Sequence, residues 1–160
     1  MKLQRITTPL LFAAALLAGA AHAQTAAPVA AEGAWARASV PGQKATGAFM
    51  RLTASEATRL VRAESPAAGV TEVHEMKMEG AVMKMRAVPA LDLPANQTVE
   101  LKPGSYHLML MDLKAPLVKD SSVALTLIFK DAKGTESKQQ VSVPVTTGMP
   151  QGHGHAGHKH

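Results

Sequence analysis

Two histidines and a group of methionines in the middle of the chain carry the side chains best suited to chemistry. Six of the nine methionines lie between residues 76 and 111, and His74 and His107 lie within or beside the same stretch. Imidazole and thioether are neutral donors, and thioether is a soft ligand that favours Cu(I) over zinc, magnesium or calcium. Two of each would leave the ion its single positive charge, which suits a carrier that must release it.

The composition excludes several other kinds of site. The 160 residues include no cysteine, which rules out disulfides, thiolate catalysis, cysteine-ligated zinc, iron–sulfur clusters and the thiolate-bound copper of an electron-transfer cupredoxin. Only 3% of the residues are aromatic, too few for a protein that stacks on nucleic-acid bases. The formal charge is +5, or +3 without Lys2 and Arg5, and this small excess requires no polyanionic partner. No Gly-x-Ser-x-Gly motif marks a hydrolase, and we do not expect an enzyme.

The spacing of the donors favours strands over helices. Residues two apart share a face of a strand, whereas on a helix they lie about 200° apart and cannot converge. Strand geometry therefore puts three pairs of donors on shared faces: His74 with Met76, Met83 with Met85, and His107 with Met109. The segment 106–113 repeats the alternation, with Tyr and Leu on one face and His and Met on the other.

The body of the chain divides into short β-prone runs separated by turn signals such as Pro41-Gly42, Pro103-Gly104 and Lys133-Gly134. Many short strands at this spacing are typical of an antiparallel sandwich or barrel, so we expect one all-β domain over residues 34–147. Residues 56–62 offer a weaker alternative as a helical turn. The nine predicted strands are 34–37, 48–53, 58–64, 70–76, 82–88, 98–101, 106–113, 123–129 and 140–145.

The spacing of four of these donors along the chain matches a known sequence signature. Ten residues separate His74 from Met85, twenty-one separate Met85 from His107, and one separates His107 from Met109. This pattern resembles the His-x10-Met-x21-His-x-Met signature of the periplasmic PCu(A)C copper chaperones. The flanking segments VHEM, VMKMR and LKPGSYHLMLM, and an early AWAR before Pro41, are similar too. The likeness covers roughly residues 34–145.

The resemblance implies a cupredoxin-like Greek-key β-barrel or sandwich that binds one Cu(I) through His74, Met85, His107 and Met109. It also implies delivery of that copper to the CuA centre of cytochrome c oxidase subunit II, alone or beside a Sco-type protein. Met76 shares a face with His74 and is a candidate auxiliary donor. We interpret Met78, Met83 and Met111 as packing or as a soft lining around the site, because methionine commonly fills gaps in cores.

The N-terminus has the features of a cleaved export signal over residues 1–23. A positively charged start precedes an apolar run too short to span a bilayer, and Ala21-His22-Ala23 fits a cleavage site before Gln24. We therefore expect a periplasmic protein without stable membrane insertion, and a flexible lead-in over residues 24–33. Cleavage before His22 would instead create an N-terminal histidine, the start of a copper-binding brace in an enzyme, which is the less favoured alternative.

Residues 148–160 form a second, different feature. The segment is polar and glycine-rich, which predicts a disordered tail. Its metal-binding side chains are Met149, His153, His155, His158 and His160. Cu(II) heads the divalent affinity order for such donors, so we expect Cu(II) in the tail and Cu(I) in the body. The alternative is a cloning tag, although tags are usually uninterrupted histidine runs.

Two further questions stay open at the level of sequence. The same four ligands would serve a carrier that delivers copper or a passive copper buffer for resistance, and we expect a monomer in either case. The charged neighbours Lys77, Lys84 and Arg86 are either solvated strand positions or a docking surface for an acidic acceptor.

Overall fold

The computed structural model describes residues 29–150, which form ten β-strands joined by turns and short loops. The strands are β1 (Val29–Arg37), β2 (Ala45–Ala54), β3 (Thr58–Glu64), β4 (Ala68–Glu79), β5 (Val82–Ala87), β6 (Leu91–Leu93), β7 (Thr98–Leu101), β8 (His107–Leu113), β9 (Ser122–Asp131) and β10 (Glu136–Thr146). The predicted all-β fold is confirmed. Among residues 29–150, no helix is long and apolar enough to cross a bilayer.

The nine predicted strands are all present, with two corrections to the prediction around them. β1 begins at Val29, so residues 29–33 are not part of a flexible lead-in; Val29 is buried and pairs with Ala54 on β2. The alternative of a helical turn over residues 56–62 is wrong. Thr58 and Leu60 of β3 point inward while Arg59 points outward, which is the alternation of a strand.

The strands form one continuous hydrogen-bonded sheet in the order β5-β4-β8-β2-β1-β10-β9-β3-β6, with β7 also paired to β2. A short parallel pairing of β1 with β10 joins the first half of this sheet to the second. We call β5, β4, β8, β2, β7 and β1 the first half and β10, β9, β3 and β6 the second. One core cluster draws buried side chains from both halves, so the two halves pack face to face.

β8 shows how the fold separates packing from chemistry. Leu108 and Leu110 are fully buried in the core cluster. Met109, between the two leucines, and Met111, just after Leu110, lie on the opposite face of the strand and are partly exposed. The alternation predicted for residues 106–113 therefore directs leucine into the core and leaves the donor side chains on the outer face.

The β4–β5 hairpin projects from one end of the sheet. All six residues of β5 are exposed, and β5 pairs only with the second part of β4, from His74 to Glu79. Gly80 and Ala81 make the turn, with Gly80 at φ 64°, a conformation that costs glycine little. A two-residue turn of this kind fixes the register of the two strands. That register determines which side chains meet across the hairpin.

Candidate metal centre

The two histidines of the body face each other across neighbouring strands. His74 on β4 is the direct cross-strand partner of His107 on β8, and their ring centroids are 5.9 Å apart. Directly opposite residues of an antiparallel pair project from the same face of the sheet. Both side chains are nevertheless buried, with 8% of His74 and 6% of His107 exposed.

The methionines follow from the same register. Met109 lies two residues beyond His107 on β8, and its cross-strand partners are Glu72 on β4 and Gly47 on β2. Met85 on β5 is the direct partner of Met76 on β4, two residues beyond His74. The three strands thus direct two imidazoles and several thioethers to one face of the first half of the sheet.

A cleft of about 290 Å³ opens on this face. The side chains that line it include Phe49, Met76, Met85, His107 and Met109. Three of the four predicted donors and the predicted auxiliary Met76 therefore share one cleft, and His74 lies beside it against His107. Among residues 29–150, no group of three or more His, Cys, Asp or Glu is placed to hold a metal ion.

Each imidazole has one nitrogen bound to an acceptor and one left over. His107 Nδ1 donates to the backbone carbonyl of Ser105 at 3.0 Å, and His74 Nε2 donates to a carboxylate oxygen of Glu72 at 3.0 Å. This leaves a lone pair on His107 Nε2 and on His74 Nδ1. His74 Nδ1 is buried without a hydrogen-bond partner. A histidine that ligates a metal ordinarily has this arrangement, so the two side chains fit the role of metal ligands.

Burial also keeps His107 in the form that can bind a metal. Desolvation lowers the pKa of His107, and the nearby His74 lowers it further, while the hydrogen bond to Ser105 acts in the opposite direction. A lowered pKa means that the neutral imidazole, with its free lone pair, persists at a lower pH than in an exposed histidine.

Two further residues shape the cleft and have no signal in the sequence. Phe49 stacks on Trp35 at a centroid distance of 4.4 Å and lies 6.2 Å from the His107 ring. Gly47 lies opposite Met109, and a Cβ atom there would be only 2.8 Å from Phe49 Cζ. The pairing of β2 with β8 places both residues beside the donors, and it joins segments that are far apart in the chain.

The other predicted lining and tail residues differ in burial, and several of them lie outside the described residues. Met78 is 56% exposed and Met83 is 45% exposed, so neither packs in the core, and neither lines the cleft; that they form a soft lining further out stays a prediction. Met111 is half-buried on β8, and Met149 is 62% exposed. The other predicted tail ligands, His153, His155, His158 and His160, lie outside the described residues, as does His22.

The chain resembles proteins of known family and structure. Residues 29–145 match the family described as "Putative lipoprotein LpqE-like". The "Putative lipoprotein Lxx21020" of Leifsonia xyli subsp. xyli (strain CTCB07) is 36% identical over 113 residues, which cover 70% of this chain. The match spans 66% of that relative, just under two thirds of its length.

Two solved structures are similar to the fold described above. The solution structure of CuI-DR1885 from Deinococcus radiodurans is 33% identical with a TM-score of 0.59, covering 77% of this chain and 81% of that one. The copper-bound PCuAC domain from PmoF2 has a TM-score of 0.60 and covers 76% of this chain and 94% of that one. At 21% identity, the PmoF2 domain supports the fold alone.

The fold and these neighbours define the class of protein, a cupredoxin-like β-domain of the PCuAC type. The chain belongs to the LpqE-like family, whose structural relatives are PCuAC domains. The two solved neighbours were determined as a CuI form and as a copper-bound domain.

Proposed function

We propose that this protein is a periplasmic copper chaperone that binds one Cu(I) through His74, Met85, His107 and Met109. The observation that carries the proposal is the pair of facing imidazoles, each with one nitrogen bound to an acceptor and the other free, beside a cleft lined by thioethers. Neutral imidazole and thioether donors select Cu(I) over harder ions. The relative from D. radiodurans, solved as its CuI form, supports the same choice of ion.

The four donors have different parts in this proposal. His74 and His107 supply nitrogen ligands that are already oriented by Glu72 and Ser105. Met109 supplies sulfur from β8, which is paired on both sides, whereas Met85 supplies it from the exposed hairpin strand β5. Met76, the cross-strand partner of Met85, is an auxiliary donor. Because Met85 is 49% exposed and Met109 is partly exposed, another protein can reach two of the four proposed donors and accept the ion.

Replacing each sulfur donor tests the site. Met85→Leu and Met109→Leu keep the apolar volume but remove the sulfur, so we expect each to weaken Cu(I) binding at least about tenfold, or about 1.4 kcal/mol. The measurement is an anaerobic competition titration with a chromophoric Cu(I) chelator. Met111→Leu is the matched control, because it lies on the same face of β8 two residues beyond Met109. Unchanged affinity in both Met85→Leu and Met109→Leu would refute the site.

The proposed acceptor is the CuA domain of cytochrome c oxidase subunit II, reached directly or together with a Sco-type protein. A passive copper buffer would use the same ligands without a dedicated acceptor. Mixing the Cu(I)-loaded protein with the apo CuA domain distinguishes them. A chaperone transfers its ion faster than an equal concentration of Cu(I) released from a small chelator of matched affinity. Equal rates favour the buffer.

The tail has a separate part in the proposal, as a Cu(II) site made of Met149, His153, His155, His158 and His160. Deleting residues 149–160 should remove one Cu(II) equivalent in electron paramagnetic resonance titrations and leave the Cu(I) affinity of the body unchanged. A loss of Cu(I) affinity on deletion would contradict this division. N-terminal sequencing of the exported protein decides between a start at Gln24 and the copper-enzyme alternative that begins at His22.

A further inference from the structure

The β4–β5 hairpin has two chemically different faces. One face carries what we call the methionine ladder, two cross-strand pairs in which Met76 faces Met85 and Met78 faces Met83. The other face carries charges that largely neutralise one another. Glu75 pairs with Arg86 at 3.1 Å and Glu79 pairs with Lys84 at 2.6 Å, with Lys77 between them.

The outer pair of the ladder lies outside the hydrophobic core. Met78 is 56% exposed and Met83 is 45% exposed, and neither belongs to the core cluster. Methionine is not favoured in strands, where β-branched and aromatic residues fit the pleated surface better. What distinguishes this pair from other apolar side chains is a soft sulfur atom at the end of a flexible chain.

The register allows the two outer sulfurs to meet. Directly opposite residues of an antiparallel pair have Cβ atoms about 5 Å apart, and each methionine side chain has three rotatable bonds, so both thioethers can reach a shared ion. The next pair along the hairpin lies about 7 Å away, at two residues of about 3.4 Å each. Met78 and Met83 are therefore one pair further from His74 than Met76 and Met85 are.

We propose that Met78 and Met83 form a second, outer site for a soft monovalent cation, distinct from the cleft. Two neutral sulfur donors select a cation such as Cu(I) or Ag(I) and disfavour Mg²⁺, Ca²⁺ and Zn²⁺. The outer site binds more weakly than the cleft, because it offers two donors where the cleft offers four. It deepens the proposed function and rests on it for the identity of the ion.

The test follows each methionine separately in the full exported chain. Methionine methyl groups are labelled with carbon-13, assigned with single Met→Leu variants, and followed by NMR during titration with Ag(I), which is redox-inert, and then with anaerobic Cu(I). We expect the methyl signals of Met85 and Met109 to shift during the first equivalent. Those of Met78 and Met83 should shift together afterwards, as a second and weaker equivalent binds. The Met149 signal reports any binding to the tail.

The double variant Met78→Leu/Met83→Leu separates ligation from apolar contact. It keeps the apolar surface, so we expect it to lose the second equivalent while the Kd of the first changes by no more than about twofold. Met111→Leu is the matched control and should keep both equivalents. The inference is overturned if the Met78 and Met83 signals stay fixed, or if they shift with Met85 during the first equivalent. Failure of the proposed function has a different signature, a first equivalent unaffected by Met85→Leu and Met109→Leu.

Discussion

His74 and His107 are held by acceptors of different charge. His107 donates to a neutral carbonyl, whereas His74 donates to the carboxylate of Glu72. A carboxylate partner orients the ring and makes the free nitrogen a stronger ligand. We therefore expect Glu72→Gln, which keeps the size and removes the charge, to weaken Cu(I) binding by about tenfold or more. Competition titration measures this.

A control for this prediction is available on the same half of the sheet. Glu32 on β1 is exposed and paired with Arg51 at 3.6 Å, so Glu32→Gln removes the same charge without touching either histidine. The Cu(I) affinity of Glu32→Gln should equal that of the unaltered protein. If Glu72→Gln also leaves the affinity unchanged, the carboxylate does not assist His74 as a ligand.

The lowered pKa of His107 also predicts how stability depends on pH without metal. Burial lowers the pKa of His107, so the folded protein binds this proton less readily than the unfolded chain, in which a histidine has a pKa of about 6.5. Stability is therefore full above about pH 6.5 and falls as the pH drops towards the lowered pKa, because the unfolded state binds more protons in that range. Urea unfolding at about pH 7.5 and about pH 5.5 measures the loss. His107→Gln, which cannot titrate, should lose less stability over this range, and an equal loss would contradict the assignment to His107.

The spacing along the sequence identifies the four proposed donors, but it does not predict the groups that contact them. The spacing of His74, Met85, His107 and Met109 is visible because it follows the chain. The contacts of Glu72 and Phe49 with the histidines depend on side-chain direction and on pairing between β2, β4 and β8. Such pairings join distant segments, and no local pattern specifies them.

At the level of elements, alternation and turn chemistry predict most strands. They miss β6, a three-residue strand in which buried Leu91 and Leu93 flank exposed Asp92, because so short a run carries little pattern. They also miss the start of β1, where alanine-rich sequence becomes a strand by pairing with β2. Both elements form through tertiary pairing, which overrides weak local preference.

On β2, the absence of a side chain at Gly47 leaves room for the Phe49 ring beside the cleft, and this can be tested. A methyl group at Gly47 would overlap the Phe49 ring, which is itself held between Trp35 and His107. We expect Gly47→Ala to displace that ring, to cost about 1–3 kcal/mol of stability as overpacking does, and to weaken Cu(I) binding. Thermal unfolding and competition titration measure the two effects.

A second substitution on β2 shows whether the ring is the cause. Phe49→Leu removes the atoms that the new methyl group would meet, so Gly47→Ala should cost much less in the Phe49→Leu background than alone. This double-mutant cycle isolates the contact between the two positions. Costs that simply add would place the effect of Gly47→Ala elsewhere in the strand.

At the scale of the whole molecule, only one half of the sheet carries the proposed donors, although both halves build the core. The residues of the proposed centre all lie on β4, β5 and β8 in the first half of the sheet. The second half shares the core cluster but supplies none of those residues. The sequence does not predict this separation, because it arises from the strand order and from the parallel pairing of β1 with β10.

Two fully buried leucines, one in each half, test this separation. Leu60 on β3 pairs with Leu91 and Phe129, whereas Leu108 follows His107 on β8. Leu60→Ala and Leu108→Ala should each cost about 2–5 kcal/mol of stability, because both leave a cavity in the core. The Kd for Cu(I), measured where both variants are folded, should rise only in Leu108→Ala, since its cavity lies directly beneath the donor strand. Equal weakening in Leu60→Ala would mean that the second half controls the geometry of the centre through the shared core.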